Sequence, residues 1–204
     1  DLTVNHSVIA NILVAEGDHS DELLLYRNLA TAELLASTEP NNPKWQRDLS
    51  LSHKLIGDVS FIQGKARDAL SSYCKSLQIQ EDLSILDVAN SRRQRDLADR
   101  HQNVGDVFKK LSDHKSALDA YQKSLKIRYA LSAKDGLNAL WLRDLFQAHV
   151  KIGDLLMDSN ELTHAFNAYR DGLRIIRKLV SHDKRNYQWR IDFCSCRTKL
   201  RSLK

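Results

Sequence analysis

Trp45-Gln46-Arg47-Asp48-Leu49 decides the fold of this chain, because variants of this stretch return at a constant spacing. They are Arg93-Gln94-Arg95-Asp96-Leu97, Trp141-Leu142-Arg143-Asp144-Leu145 and Trp189-Arg190-Ile191-Asp192-Phe193, each 48 residues after the one before. Asp1-Leu2 fits the same frame at the start of the chain. A period of this size is typical of proteins that stack similar supersecondary units. The pattern predicts about four repeats followed by a terminal helix.

Small and aromatic residues recur inside each repeat in the same register. The recurring positions are Gly57, Gly105 and Gly153, then Ala69, Ala117 and Ala165, then Tyr26, Tyr73, Tyr121 and Tyr169. Each later tyrosine follows its alanine by four residues, which places both on one face of a helix. This spacing predicts a second helix in each repeat that packs its alanine and tyrosine inward.

Local chemistry predicts where the helices begin and end. Asparagine, a favoured N-cap, recurs at Asn42, Asn90, Asn138 and Asn186. Pro43 follows in one copy, at the first helical position, where its missing N–H is harmless. The first helices are predicted to end at one equivalent position of each repeat, which is occupied by Gly17, Gly64, Ser112 and Asn160. The second helices should then run about 20 residues, to Asp87, Asp135 and Asp183.

A small residue in the first helix, an alanine early in the second and an aromatic four positions later resemble the tetratricopeptide repeat. That family's unit has 34 residues, so both helices are lengthened here. A histidine replaces the family's early aromatic residue, at His6, His53, His101 and His149. The resemblance implies an all-α, right-handed α-solenoid of antiparallel helical hairpins, a tetratricopeptide-like superhelix. One repeat domain over 1–204 is expected, with units 1–44, 45–92, 93–140 and 141–188 and a capping helix 189–204.

The resemblance also implies a concave groove, lined by the first helices, that binds a peptide or segment of a partner protein. Arginine can hold a carboxylate through two parallel hydrogen bonds, so a partner with acidic groups is favoured. The recurrent aspartates more simply serve the repeat itself, for example as ion pairs between neighbouring units, whereas residues that vary at groove positions suit recognition. The predicted groove residues are Arg47, Lys54, Arg95, Gln102, Lys109, Arg143, Gln147 and Val150.

Charge is unevenly distributed along the chain, whose net charge is +5. Residues 184–204 carry seven Lys or Arg against one acid, while residues 1–44 carry seven acids against two bases. This polarity leaves open an alternative function, self-assembly or regulation within a larger protein through head-to-tail contacts. Nucleic-acid binding through the basic terminal helix is the least favoured possibility.

Motifs for catalysis are absent from the sequence. It contains no glycine-rich phosphate loop, H-E-x-x-H motif or nucleophile elbow, which predicts a non-enzyme without cofactor or metal. Cys194 and Cys196 point about 200° apart on a helix and cannot readily chelate together. Cys74 completes the three cysteines, whose spacing favours a reducing, cytoplasmic compartment. The chain starts at Asp1 and has no membrane-spanning apolar run, which suggests a processed product or fragment that does not enter membranes.

Overall fold

The computed structural model describes residues 19–203, with side chains from residue 24 onward. Within that range there are eight α-helices and no strand: α1 His19–Thr38, α2 Pro43–Ile62, α3 Ala66–Leu86, α4 Ser91–Lys110, α5 His114–Lys134, α6 Ala139–Asp158, α7 Leu162–His182 and α8 Tyr187–Arg201. None of these helices is long and apolar enough to cross a membrane. The predictions made for Asp1-Leu2, His6, Gly17 and the first helix of unit 1–44 lie outside the described residues.

The four predicted asparagine caps are confirmed. The side-chain oxygens of Asn90, Asn138 and Asn186 accept hydrogen bonds from the backbone N–H three residues later, at 3.1–3.2 Å. Asn42, which is followed by Pro43 at the first helical position, accepts from the N–H of Lys44 at 3.0 Å instead. Each cap satisfies one donor that the helix leaves open and contributes about 1 kcal/mol.

The predicted helix ends are confirmed as well. Gly64, Ser112 and Asn160 have φ of 80°, 60° and 58°, the left-handed conformation that closes a helix. Serine at φ 60° is strained relative to glycine, since a Cβ disfavours this region. The second helices of the three described hairpins end at Leu86, Lys134 and His182, directly before the predicted aspartates.

Contacts divide the chain into two compact units, Asp1–Leu111 and Ser112–Lys204. In the first, α2 packs against α1 and α3, and α3 packs against α4. Its buried apolar residues include Leu55, Ile56, Val59, Ala69, Tyr73, Leu83, Leu97, Ala98, Val104 and Val107. Short loops between packed neighbours make the helices antiparallel, and each fully buried large apolar side chain contributes about 1.5–3 kcal/mol.

The second unit repeats this arrangement, with α6 packed against α5 and α7, and α7 packed against α8. Its buried apolar residues include Ala117, Tyr121, Leu145, Phe146, Ile152, Leu155, Tyr169, Ile176 and Leu179. The helix α8 is amphipathic as predicted: Cys196 is buried, whereas Arg190, Arg197 and Arg201 are exposed. All described helices are therefore held by packing one face against a neighbour, as in other helical repeats.

Candidate functional site

The eight predicted groove residues lie on the first helices of three repeats. Arg47 and Lys54 lie on α2, Arg95, Gln102 and Lys109 on α4, and Arg143, Gln147 and Val150 on α6. Gln147 is exposed and the other seven are partly exposed. All eight can therefore be reached by a ligand from solvent.

Gln147 and Val150 line a cleft of about 320 Å³ between α6 and α8. The cleft is completed by Phe146, Lys151, Asp192, Ser195 and Cys196. Its volume falls at the lower end of the range for binding pockets, about 300–1,000 Å³. Apolar surface from Phe146 and Val150 lies beside an amide, a hydroxyl and two charged groups. The cleft can therefore bury an apolar side chain of a ligand and form hydrogen bonds with the polar groups next to that side chain.

Two of the predicted arginines form ion pairs with the following repeat. The Nε of Arg47 lies 3.6 Å from Asp96, and the Nε of Arg143 lies 3.4 Å from Asp192. Partly exposed ion pairs such as these contribute about 0–1 kcal/mol. The recurrent aspartates thus link neighbouring repeats, the role expected of residues that repeat, while each arginine keeps enough exposure to meet a ligand.

Lys54 is held by its own helix. Its ammonium is ion-paired with Asp58 one turn later, and Asp58 also accepts a hydrogen bond from the Tyr73 hydroxyl at 2.8 Å. The remaining predicted residues of the first unit, Arg95, Gln102 and Lys109, follow one another at helical spacing along α4. Their recognition role stays a prediction.

The recurrent Gly-Asp pair is explained by the tyrosine of the second helix. The Tyr169 hydroxyl donates to Asp154 at 2.6 Å, and the ring lies directly over Gly153. Lys199, on α8, is ion-paired with the same carboxylate, and its ammonium lies 5.7 Å from the centre of the Tyr169 ring. Burial, followed by the hydrogen bond to Asp154, raises the pKa of Tyr169 above its usual range. One carboxylate thus joins three consecutive helices of the second unit.

Two residues that the sequence did not single out have unusual environments. The Nε of Arg100 and the Nδ2 of Asn103, three residues apart on α4, are buried without a hydrogen-bond partner among the described residues. Burial lowers the pKa of Arg100, and the carboxylates of Asp96 and Asp99 oppose that shift. A buried donor without an acceptor costs about 1–3 kcal/mol. The 48-residue repeat did not single out these two residues, because the positions equivalent to Arg100 in the other repeats hold Ser52 and Ala148.

The recurrent histidines that the structure describes lie within the helix packing. His53 and His101 are buried and His149 is partly buried. Burial lowers the pKa of both His53 and His149 from the usual 6.5, with Lys75 adding to the shift at His53 and Asp171 opposing it at His149. Among the described residues, no group of three or more His, Cys, Asp or Glu could hold a metal ion.

We expect the free energy of unfolding to fall as the pH drops below 6.5. The folded pKa values of His53 and His149 lie below 6.5, so the unfolded chain takes up protons first and acid favours unfolding. Urea midpoints measured at intervals between about pH 7.5 and 5 check this. Replacing both histidines with glutamine should flatten the decline between pH 7.5 and 5.5.

The exposed His182 offers a matched control for this measurement. His182→Gln should keep the wild-type decline, because it leaves both His53 and His149 in place. An equally steep decline in the double variant would show that other groups cause it.

Residues 98–130, which run from α4 into α5, match the family model of the tetratricopeptide repeat. No curated protein matches the sequence. Among solved structures, BtubC from P. vanneervenii is similar with a TM-score of 0.71 and 18% identity, over 97% of this chain and 75% of that one. A yeast histone chaperone, described as a scaffold that recruits protein complexes to core histones, gives 0.57 and 10% over 92% and 97%.

The Rap conjugation gene regulator of the plasmid pLS20, in complex with a peptide, is similar with a TM-score of 0.57 and 19% identity. The match covers 78% of this chain but only 38% of the regulator. At these identities the likenesses show the fold alone. Together they establish an all-α helical-repeat fold of the α-solenoid class, in which residues 98–130 match the tetratricopeptide repeat.

Proposed function

Because the chain has a helical-repeat fold in which residues 98–130 match the tetratricopeptide repeat, we propose that it is a protein-interaction scaffold that catalyses no reaction and binds a peptide segment of a partner. The cleft between α6 and α8 is the proposed main contact in the second unit. The peptide complex of the Rap regulator shows that a similar fold accommodates such a ligand.

The observation that carries the proposal is the composition of that cleft. Phe146 and Val150 supply apolar surface, while Gln147 and Ser195 supply groups that can hydrogen-bond a peptide backbone. Recognition sites typically combine an apolar body with a few polar groups that fix the orientation of the ligand. An extended segment with one apolar side chain fits this combination.

Cationic groups favour an acidic residue next to that apolar side chain. Lys151 lines the cleft, and its ammonium lies 6.0 Å from the centre of the Tyr121 ring. Arg143 lies one helical turn before Gln147 and is already paired with Asp192. Because that pair is partly exposed, a ligand carboxylate can compete with Asp192 for the guanidinium. We therefore propose a peptide in which an acidic residue neighbours an apolar one.

Val150→Asp should abolish most of the binding. A displayed library of random peptides serves as the probe, and the affinities of selected peptides are measured by fluorescence anisotropy. A carboxylate at residue 150 places an unpaired charge against the apolar side chain of the ligand and repels its acidic group. We expect affinity to fall at least tenfold, which corresponds to about 1.4 kcal/mol.

Leu137→Asp is the matched control, since Leu137 is 82% exposed and lies outside the cleft. It makes the same kind of change and should leave affinity unchanged. Equal affinities of the wild type and Val150→Asp would remove the cleft from the proposal. Failure of the library to yield any binder would count against peptide recognition by this chain as a whole.

In the first unit, Arg47, Lys54, Arg95, Gln102 and Lys109 stay candidates for a second contact area.

A further inference from the structure

A cleft of about 490 Å³ with a mixed apolar and polar lining opens in the first unit, and none of the predicted groove residues lines it. It lies between the loop before α2 and the last turns of α3. Its lining consists of Pro40, Asn41, Pro43, Gln46, Ile79, Asp82, Leu83 and Leu86. Leu86 of the lining is 71% exposed, and Ile85 and Val88, its neighbours in the sequence, are 73% and 67% exposed. Contiguous exposed apolar residues rimmed by polar groups mark an interaction surface.

The charges around this cleft are mainly negative. Glu39 and Asp82 are exposed and Asp87 is partly exposed, whereas Glu81 faces His101 on α4, 3.9 Å away. Two cations among the described residues lie nearby: Lys44, whose ammonium is 4.6 Å from the centre of the Trp45 ring, and Arg93, whose Nη1 donates to the carbonyl of Leu83 at 3.1 Å. An apolar floor with an acidic rim favours an occupant that is both apolar and basic.

The outer face of α8 has that composition. Tyr187 and Ile191, 74% and 41% exposed, share one side of the helix with the exposed Cys194. Arg190, Arg197 and Arg201 are exposed on the same side. At 3.6 residues per turn these six residues fall within about 120° of the circumference. The opposite side of the helix, at Cys196, is buried against α7.

We propose that the outer face of α8 docks into the acidic apolar cleft of a second copy of this chain. Tyr187 and Ile191 would enter the cleft beside Leu86, and the arginines would meet the acids of its rim. Each copy carries both surfaces and the surfaces differ, so the contact is head-to-tail and extends rather than closes.

A single helix face buries less surface than the roughly 1,200 Å² typical of the smallest stable interfaces. We therefore expect weak association that grows with protein concentration. High salt should weaken it, because the opposed charges lie at the surface and are screened. Sedimentation velocity of the 204-residue chain at about 10 to 500 μM, in about 50 and 500 mM NaCl, measures both effects.

Two double variants test the two docking surfaces independently. Arg190→Glu/Ile191→Glu changes only exposed residues of α8, and Asp82→Lys/Leu86→Lys changes only exposed residues of the cleft. Each variant alone should be monomeric while keeping the helical circular dichroism of the wild type. Mixed in equal amounts, they should form a dimer that grows no further, because one variant retains an intact cleft and the other an intact α8.

Lys126→Glu/Leu137→Glu is the control, with one exposed basic and one exposed apolar residue on neither surface. It should associate like the wild type, and so should Val150→Asp, which separates this proposal from peptide binding at the other cleft. A wild type that is monomeric at every concentration and salt would overturn the proposal. So would a mixture of the two double variants that stays monomeric.

Discussion

Gly153→Ala is expected to lower the free energy of unfolding by about 1–3 kcal/mol, the cost of overpacking a well-filled core. A Cβ at residue 153 would lie 2.6 Å from a carbon of the Tyr169 ring. The ring cannot move aside, because it is 2% exposed and its hydroxyl is held by Asp154. Alanine would otherwise stabilise a helix interior by up to about 1 kcal/mol relative to glycine. The clash with the Tyr169 ring is therefore what makes the variant less stable than the wild type.

Urea unfolding followed by circular dichroism measures the change, and Gly136→Ala is its control. The nearest atom to a Cβ there is the carbonyl oxygen of Ser132 at 4.0 Å. That variant should be neutral or slightly more stable, because alanine restricts the unfolded chain. Combining Gly153→Ala with Tyr169→Leu should cost less than the sum of the two single changes. Equal stabilities of Gly153→Ala and Gly136→Ala would refute the packing explanation.

The sequence predicts the helix boundaries well because the chemistry that sets them is local. An asparagine at the N-cap needs only the next three residues, and the left-handed stops at Gly64, Ser112 and Asn160 need only their own backbone. The 48-residue register then transfers each boundary from one repeat to the next. For this reason a serine at φ 60° could be placed correctly, although serine alone rarely indicates such a conformation.

The role of a side chain can be predicted from the 48-residue repeat only where the same residue type recurs. One frame position holds Gln80, Arg128 and Ile176, and all three are buried. Gln80 donates to the carbonyl of Arg93, whereas Arg128 lies 3.7 Å from Asp144. Ile176 packs without any polar partner. The contacts of these three side chains depend on which residues of the neighbouring helix lie opposite them. Those residues are distant in the sequence, so a single sequence does not reveal the contacts.

The predicted recognition residues show the same limit. Exposure of all eight follows from the periodicity of the first helices, and Gln147 and Val150 do share a cleft. Arg47 pairs with Asp96 and Arg143 pairs with Asp192, so each arginine contacts an aspartate of the next repeat. Recurrence marked those aspartates as structural but could not name their partners. Of the acids around the other cleft, only Glu39 belongs to the acidic stretch 1–44, so the charge pattern of the sequence did not reveal that cleft.

Tyr169→Ala should be the most damaging of the changes considered, at about 3–5 kcal/mol, the range for truncating a buried aromatic residue. The substitution leaves a cavity over Gly153 and removes the hydroxyl that donates to Asp154. It also removes the ring that faces the ammonium of Lys199 on α8. Since these contacts connect α6, α7 and α8, we expect the loss to appear as a lower urea midpoint and as earlier fraying of α8.

Tyr129→Ala is the matched control, because Tyr129 is 63% exposed and its truncation should change stability by less than about 0.5 kcal/mol. Tyr169→Phe separates the two contributions of the buried ring, since it keeps the packing and removes only the hydrogen bond. Loss of a hydrogen bond to a charged group costs about 1.5–3 kcal/mol. A Tyr169→Phe variant as unstable as Tyr169→Ala would mean that the Asp154 hydrogen bond, rather than ring packing, joins the three helices.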